Sequence, residues 1–94
     1  MLGGFGAAKP VTPEVGQLAL NMKPHAETKL GASWSTYEPV TYTSQVVAGT
    51  NYLVKVKVGE SEYVHLKIYQ PLPCAGGQPE LSEAHGGKTE ACPL

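Results

Sequence analysis

Two cysteines and three histidines are the side chains of this 94-residue chain with the most reactive chemistry to offer. Cys74 or Cys92 beside His25, His65 or His85 would make a thiol–imidazole pair, in which the ring takes the thiol proton and leaves a nucleophilic thiolate. Neither cysteine lies in a glycine-rich or strand-to-helix context of the kind that presents a nucleophile. The same five side chains could ligate zinc, but no C-x-x-C or H-x-x-x-H spacing occurs. The chain is therefore expected to be no enzyme, to hold no metal and to need no cofactor. His25 reads as a boundary residue on a helix, His65 as a residue on the outer face of a sheet and His85 as part of a flexible tail. Lys55, Lys57 and Lys67 form a mild basic stripe, which reads as a solvated sheet face that discourages edge pairing. Nucleic acid would require more charge, interleaved with aromatic rings.

The elements that must carry these residues follow from periodicity. Residues 1–11 have three glycines, one proline and no repeat, and are expected to be an extended, mobile arm. Thr12 suits a helix N-cap, Pro13 the first helical position and Glu14 the positive end of the helix dipole. Val15, Leu18, Ala19, Met22 and Ala26 then share one helical face. Pro24 falls inside that run, where a proline removes a backbone donor and clashes with the preceding turn. A bent helix from Pro13 to Leu30, stopped by Gly31, is the expectation.

Residues 36–47 have strand composition, with Pro39 marking an edge or bulge. From 51 to 58, Tyr52, Val54, Val56 and Val58 face one way while Leu53, Lys55 and Lys57 face the other. From 62 to 70, Val64, Leu66 and Ile68 alternate with Tyr63, His65, Lys67 and Tyr69. Gly59-Glu60-Ser61 turns the chain between them. Period-two segments joined by short turns make antiparallel hairpins, and the single helix must cover their apolar face. The fold class is α+β, a curved antiparallel sheet of four to five strands wrapped around one long, kinked helix. Residues 78–94 are expected to be weakly structured, with only Leu81 to His85 able to pair.

The tip of the first long hairpin is unusual. Hairpin tips are normally polar, because their backbone faces water. Here the tip reads Gln45-Val46-Val47-Ala48-Gly49, which marks it as a candidate contact surface. Leu72-Pro73 opens a second turn at the same end of the sheet, because turns between strands two and three and between four and five share one end. Leu2-Gly3-Gly4 reads either as a frayed terminus or as a segment whose glycines let the backbone pass close to a partner.

QVVAG resembles the first-hairpin motif of the cystatins, and QVVAGTNY with its lysine-rich strand is similar to the stefin branch. Lys9-Pro10, Thr12-Pro13-Glu14, Val64-His65-Leu66-Lys67 and Leu72-Pro73 carry the resemblance over residues 1–73. It implies a reversible, non-covalent, tight-binding inhibitor of papain-like cysteine proteases, papain and the cathepsin type among them. The implied protease-binding residues are Leu2, Gly3, Gly4, Gln45, Val46, Val47, Ala48, Gly49, Leu72 and Pro73, which wedge into the catalytic cleft. The family also implies a monomer able to form a domain-swapped dimer. A non-inhibitory or engineered binding module on the same scaffold is the alternative, and a storage role through oligomers a third.

Composition bounds these readings. The length suits one domain, residues 1–94, with a single modest core. Net charge is −1 with no basic run, which argues against nucleic acid and anionic membranes as partners. No window approaches the apolar length of a membrane span. The N-terminus lacks the basic and apolar regions of a secretory signal, so a cytoplasmic location is expected, with two free thiols rather than a disulfide.

Overall fold

The computed structural model describes residues 8–47, 49–72 and 78–89. In chain order the elements are β1 (Lys9–Pro10), α1 (Pro13–Asn21), α2 (Lys23–Leu30), β2 (Glu38–Val47), β3 (Gly49–Lys57), β4 (Tyr63–Gln70) and β5 (Glu80–Lys88). The five strands form one antiparallel sheet in the order β1-β2-β3-β4-β5, so each strand lies beside its sequence neighbour. Helix and sheet together are the α+β fold expected.

The helix begins as its residues dictate. The Thr12 hydroxyl accepts a hydrogen bond from the Val15 N–H at 3.2 Å, and Pro13 needs no donor in the first turn. The expected bend is a break. Met22, at φ −87° and ψ −5°, separates α1 from α2. Pro24 then stands in the first turn of α2, where its missing N–H leaves no bond unmade. Gly31 ends α2 in the left-handed conformation (φ 61°), with its N–H donating to the carbonyl of Thr28.

Val15 and Ala19 of α1, Met22 at the break and Ala26 of α2 meet Val54, Val56, Val64, Leu66 and Ile68 from β3 and β4 in the core. Val54, Val56, Leu66 and Ile68 are fully buried, which is the period-two face read from the sequence. Between helix and sheet, the Trp34 N–H donates to Glu27 Oε2 at 2.8 Å, and the Trp34 and Tyr37 rings stack at 5.8 Å. The β2–β3 register shifts between Pro39 and Thr41, the irregularity Pro39 announces.

Three further features differ from expectation. Lys9 and Pro10 pair with Tyr42 and Thr41, and the Val11 N–H donates to the carbonyl of Val40. The last residues of the arm are thus tied to the sheet. β5 extends from Glu80 to Lys88, beyond the short pairing expected around Leu81–His85. An edge strand is held through backbone groups, so polar side chains and Gly86-Gly87 do not prevent pairing. Lys55 and His65 are buried, at 7% and 6% exposure, although they lie on the face away from the core valines. Lys55 is on the central strand, beside Thr41 and His65, and is walled on both sides.

Candidate functional site

The β2–β3 hairpin closes with Gln45 opposite Asn51, Val46 opposite Thr50 and Val47 opposite Gly49. The Asn51 side-chain amide donates to Gln45 Oε1 at 3.3 Å, bracing the last rungs. Val46 is 78% exposed, well above Leu20 and Leu72, the other large apolar side chains exposed among the described residues. Such exposure of a β-branched side chain gains nothing for folding. Gly49 is buried and has φ +118°, a conformation that only glycine adopts without strain.

The end of β4 lies beside the first tip. Thr50 of β3 pairs with Gln70 of β4, so Val46, Thr50 and Gln70 stand in one row across three strands. The chain leaves β4 through Pro71 to Leu72, which is 45% exposed. A cleft lined by Val15, Leu18 and Asn21 of α1 and by Gly49, Gln70 and Leu72 runs under this row. β1 points the same way. β1 is antiparallel to β2 with Lys9 opposite Tyr42, so its N-terminal end faces the end of β2 that carries Gln45–Val47.

Gln45, Val46, Gly49 and Leu72 are thus brought to one end of the sheet, as expected. Val47 joins them as the last residue of β2. Leu2, Gly3, Gly4, Ala48 and Pro73 lie outside the described residues. No charged side chain occurs in 1–8, 39–54 or 68–79, the stretches that lead into the three elements. Desolvating these stretches themselves therefore buries no charged side chain; the nearby carboxylates are Glu14 of α1, in the cleft, and Glu80 of β5, opposite Tyr69.

Sequence reasoning did not single out Thr50, Tyr69 or Gln70. The signal was available: the β3–β4 hairpin is symmetric about Glu60, so counting ten residues either way sets Thr50 against Gln70.

The titratable groups gather elsewhere, on the outer face of β3, β4 and β5. His65 lies between Lys55 and His85 in the register. Its Nε2 is buried without a hydrogen-bond partner. Burial foremost, then Lys55, Lys88 and His85, lower its pKa to about 4. Glu83 accepts from His85 Nε2 at 3.2 Å and pairs with Lys67 at 3.5 Å; the His85 hydrogen bond and then the Lys67 charge lower its pKa. Among the described residues no three His, Cys, Asp or Glu side chains converge as metal ligands. Both cysteines lie outside the described residues. No helix among the described residues is long and apolar enough to cross a membrane.

Comparison with known proteins places this geometry. Residues 3–91 match the Cystatin domain family. A Cystatin-B from Oplegnathus fasciatus is 40% identical over 94 residues, covering 100% of this chain and 94% of that protein. A Cystatin-B from Paralichthys olivaceus is 42% identical over 94 residues, covering 100% and 96%. Leukocyte cysteine proteinase inhibitor 1 from Sus scrofa is 44% identical over 73 residues, 78% of this chain and 71% of that protein. With one helical layer on a five-stranded antiparallel sheet, an apolar QVVAG tip and a domain match through nearly all of its length, the chain belongs to the cystatin family.

Proposed function

We propose that the chain is a reversible, non-covalent inhibitor of papain-like cysteine proteases. The observation that carries the reading is the exposure of Val46 and Leu72, 78% and 45%, at one end of the sheet, on stretches without a charged side chain. An apolar edge of this kind fits a cleft whose walls are apolar and whose floor holds the catalytic thiol. A relative 44% identical to the chain is named as a cysteine proteinase inhibitor, which supports the same conclusion.

Three segments form the edge in this reading. Leu2-Gly3-Gly4 lies along the cleft, Leu2 filling an apolar specificity pocket while the glycines let the backbone pass the nucleophile. Gln45–Gly49 enters the centre, and Leu72-Pro73 contacts the far wall. Affinity comes from apolar burial and shape, and no inhibitor residue takes part in bond making or breaking. The chain acts as a cytoplasmic monomer, with both thiols reduced.

Titration of active papain tests the proposal. Expected are linear, stoichiometric loss of activity, its recovery after dilution into competing substrate, and an inhibitor of unchanged mass. Absence of inhibition at micromolar concentration, or steady cleavage of the chain, would overturn it.

A further inference from the structure

At the candidate edge Gly49 lies close against the end of β4. A Cβ placed on Gly49 would stand 2.5 Å from the carbonyl oxygen of Gln70, 2.9 Å from the Tyr69 hydroxyl oxygen and 3.0 Å from Tyr69 Cε1. Real Cβ atoms do not come so near to backbone. The absence of a side chain at 49 is what lets β4 and the Tyr69 ring close over the first tip. Gly49 is buried while Val46, three residues earlier, is 78% exposed. The hairpin is therefore gripped at one side and presented at the other.

We infer that Tyr69 is a positioning residue: seated with the Gln70 backbone against the bare Cα of Gly49, it locks the first tip to the end of β4, so that Val46 and the β4 end that carries Leu72 are held as one unit. The inference rests on the inhibitory reading of the edge and adds a reason for its rigidity. Val46 and Leu72 are carried on different hairpins, joined at this end by the β3–β4 ladder through Thr50 and Gln70. A ladder alone frays at its last rungs. A ring packed on a glycine stops that fraying with no side chain of its own in the cleft. A tip held in its binding shape also avoids the loss of affinity that comes from being competent only part of the time.

The substitutions that test this are Tyr69→Ala, which removes the ring, and Tyr69→Phe, which keeps it. Two readouts are needed. Amide hydrogen exchange of the free protein reports the tip without any protease. In Tyr69→Ala the amides of Val46, Val47, Gly49 and Thr50 are expected to exchange about tenfold faster, with those of Val54, Val56 and Leu66 unchanged. Papain affinity is expected to fall by less than that factor, because the competent fraction drops in proportion only once the open state predominates. Tyr69→Phe, which keeps the ring, should lie closer to the parent protein than Tyr69→Ala does in both. The inference is overturned if exchange at 46–50 does not change, or if it rises equally throughout the sheet, as for a residue that merely stabilises the fold. Should the parent protein fail to inhibit papain while the local exchange effect holds, the inhibitory reading fails and the seat of Tyr69 on Gly49 stands.

Discussion

The Tyr37 hydroxyl donates to the carbonyl oxygen of Ala19 at 2.7 Å, at the point where the helix breaks. That carbonyl also accepts from the Met22 N–H at 3.1 Å, a tighter turn than an α-helix makes. Tyr37 thus caps the end of α1 from outside, while its ring stacks on Trp34 and lies 5.9 Å below the Lys23 ammonium. Burial foremost, then the nearby Glu27 carboxylate, push its pKa well above the ordinary 10.0.

Removing this hydroxyl should weaken the fold without touching the binding edge. Tyr37→Phe is expected to lower unfolding free energy by about 0.5–1.5 kcal/mol, the net worth of one hydrogen bond. Papain affinity should not change. The raised pKa also sets a direction with pH. The native state keeps the phenol proton where the unfolded chain releases it, so stability should fall as pH rises above 10.0. Urea melts on both sides of that pH should show a shallower alkaline decline in the phenylalanine variant.

His65 gives the opposite limb. Its pKa is lowered from 6.5 to about 4, so between those values the unfolded chain binds a proton that the native state refuses. Stability should therefore fall as pH drops from 6.5 towards 4. Lys55, Lys88 and His85 each oppose a charge at this position. His65→Leu should flatten that part of the acid limb in denaturant melts, because nothing remains at 65 to protonate. An acid limb identical in both proteins would show that other groups govern it.

Much of this was legible in the sequence, and the remainder was hidden for identifiable reasons. Thr12-Pro13-Glu14 announces the helix start and Gly31 its end, because caps are local chemistry. Val54, Val56, Val64, Leu66 and Ile68 announce the core, because one face of each strand is dry. The break at Met22 was expected only as a bend. Pro24 requires an interruption, but whether the helix curves or splits depends on outside partners such as Tyr37. β5 was underread because an edge strand pairs through backbone groups that every residue carries. The burial of Lys55 and His65 depends on neighbours across strands and leaves no trace in local periodicity. That Val46 and Leu72 share one end of the sheet was legible from topology, whereas the seat of Tyr69 on Gly49 required the register.

The apolar tip should also act as a hinge. Val46 and Val47 have strand propensity, and straightening 46–50 would merge β2 and β3 into one long strand. The helix and its neighbouring strand could then exchange between two chains, a low-cost route to a dimer. Partial unfolding by heat or mild denaturant is expected to yield a slowly reverting dimer that no longer inhibits papain, since the tip has been consumed. Size-exclusion chromatography with activity assays on each peak would detect it. A dimer retaining full inhibition, or none after partial unfolding, would count against the hinge.

The central claim is that the end of the sheet carrying Val46 is the inhibitory surface. The measurement that tests it most directly is the papain inhibition constant of Val46→Asp beside that of Ser82→Asp, an equal charge change on the exposed β5 edge. At 78% exposure Val46 has little to lose in folding, so both variants should melt as the parent does. Burying a carboxylate in an apolar cleft forfeits the valine contact and adds desolvation, together at least about 3 kcal/mol, or roughly a hundredfold in affinity. Val46→Asp weakened by that factor, with Ser82→Asp unchanged, is the predicted result. Equal inhibition constants for the two folded variants would contradict the account.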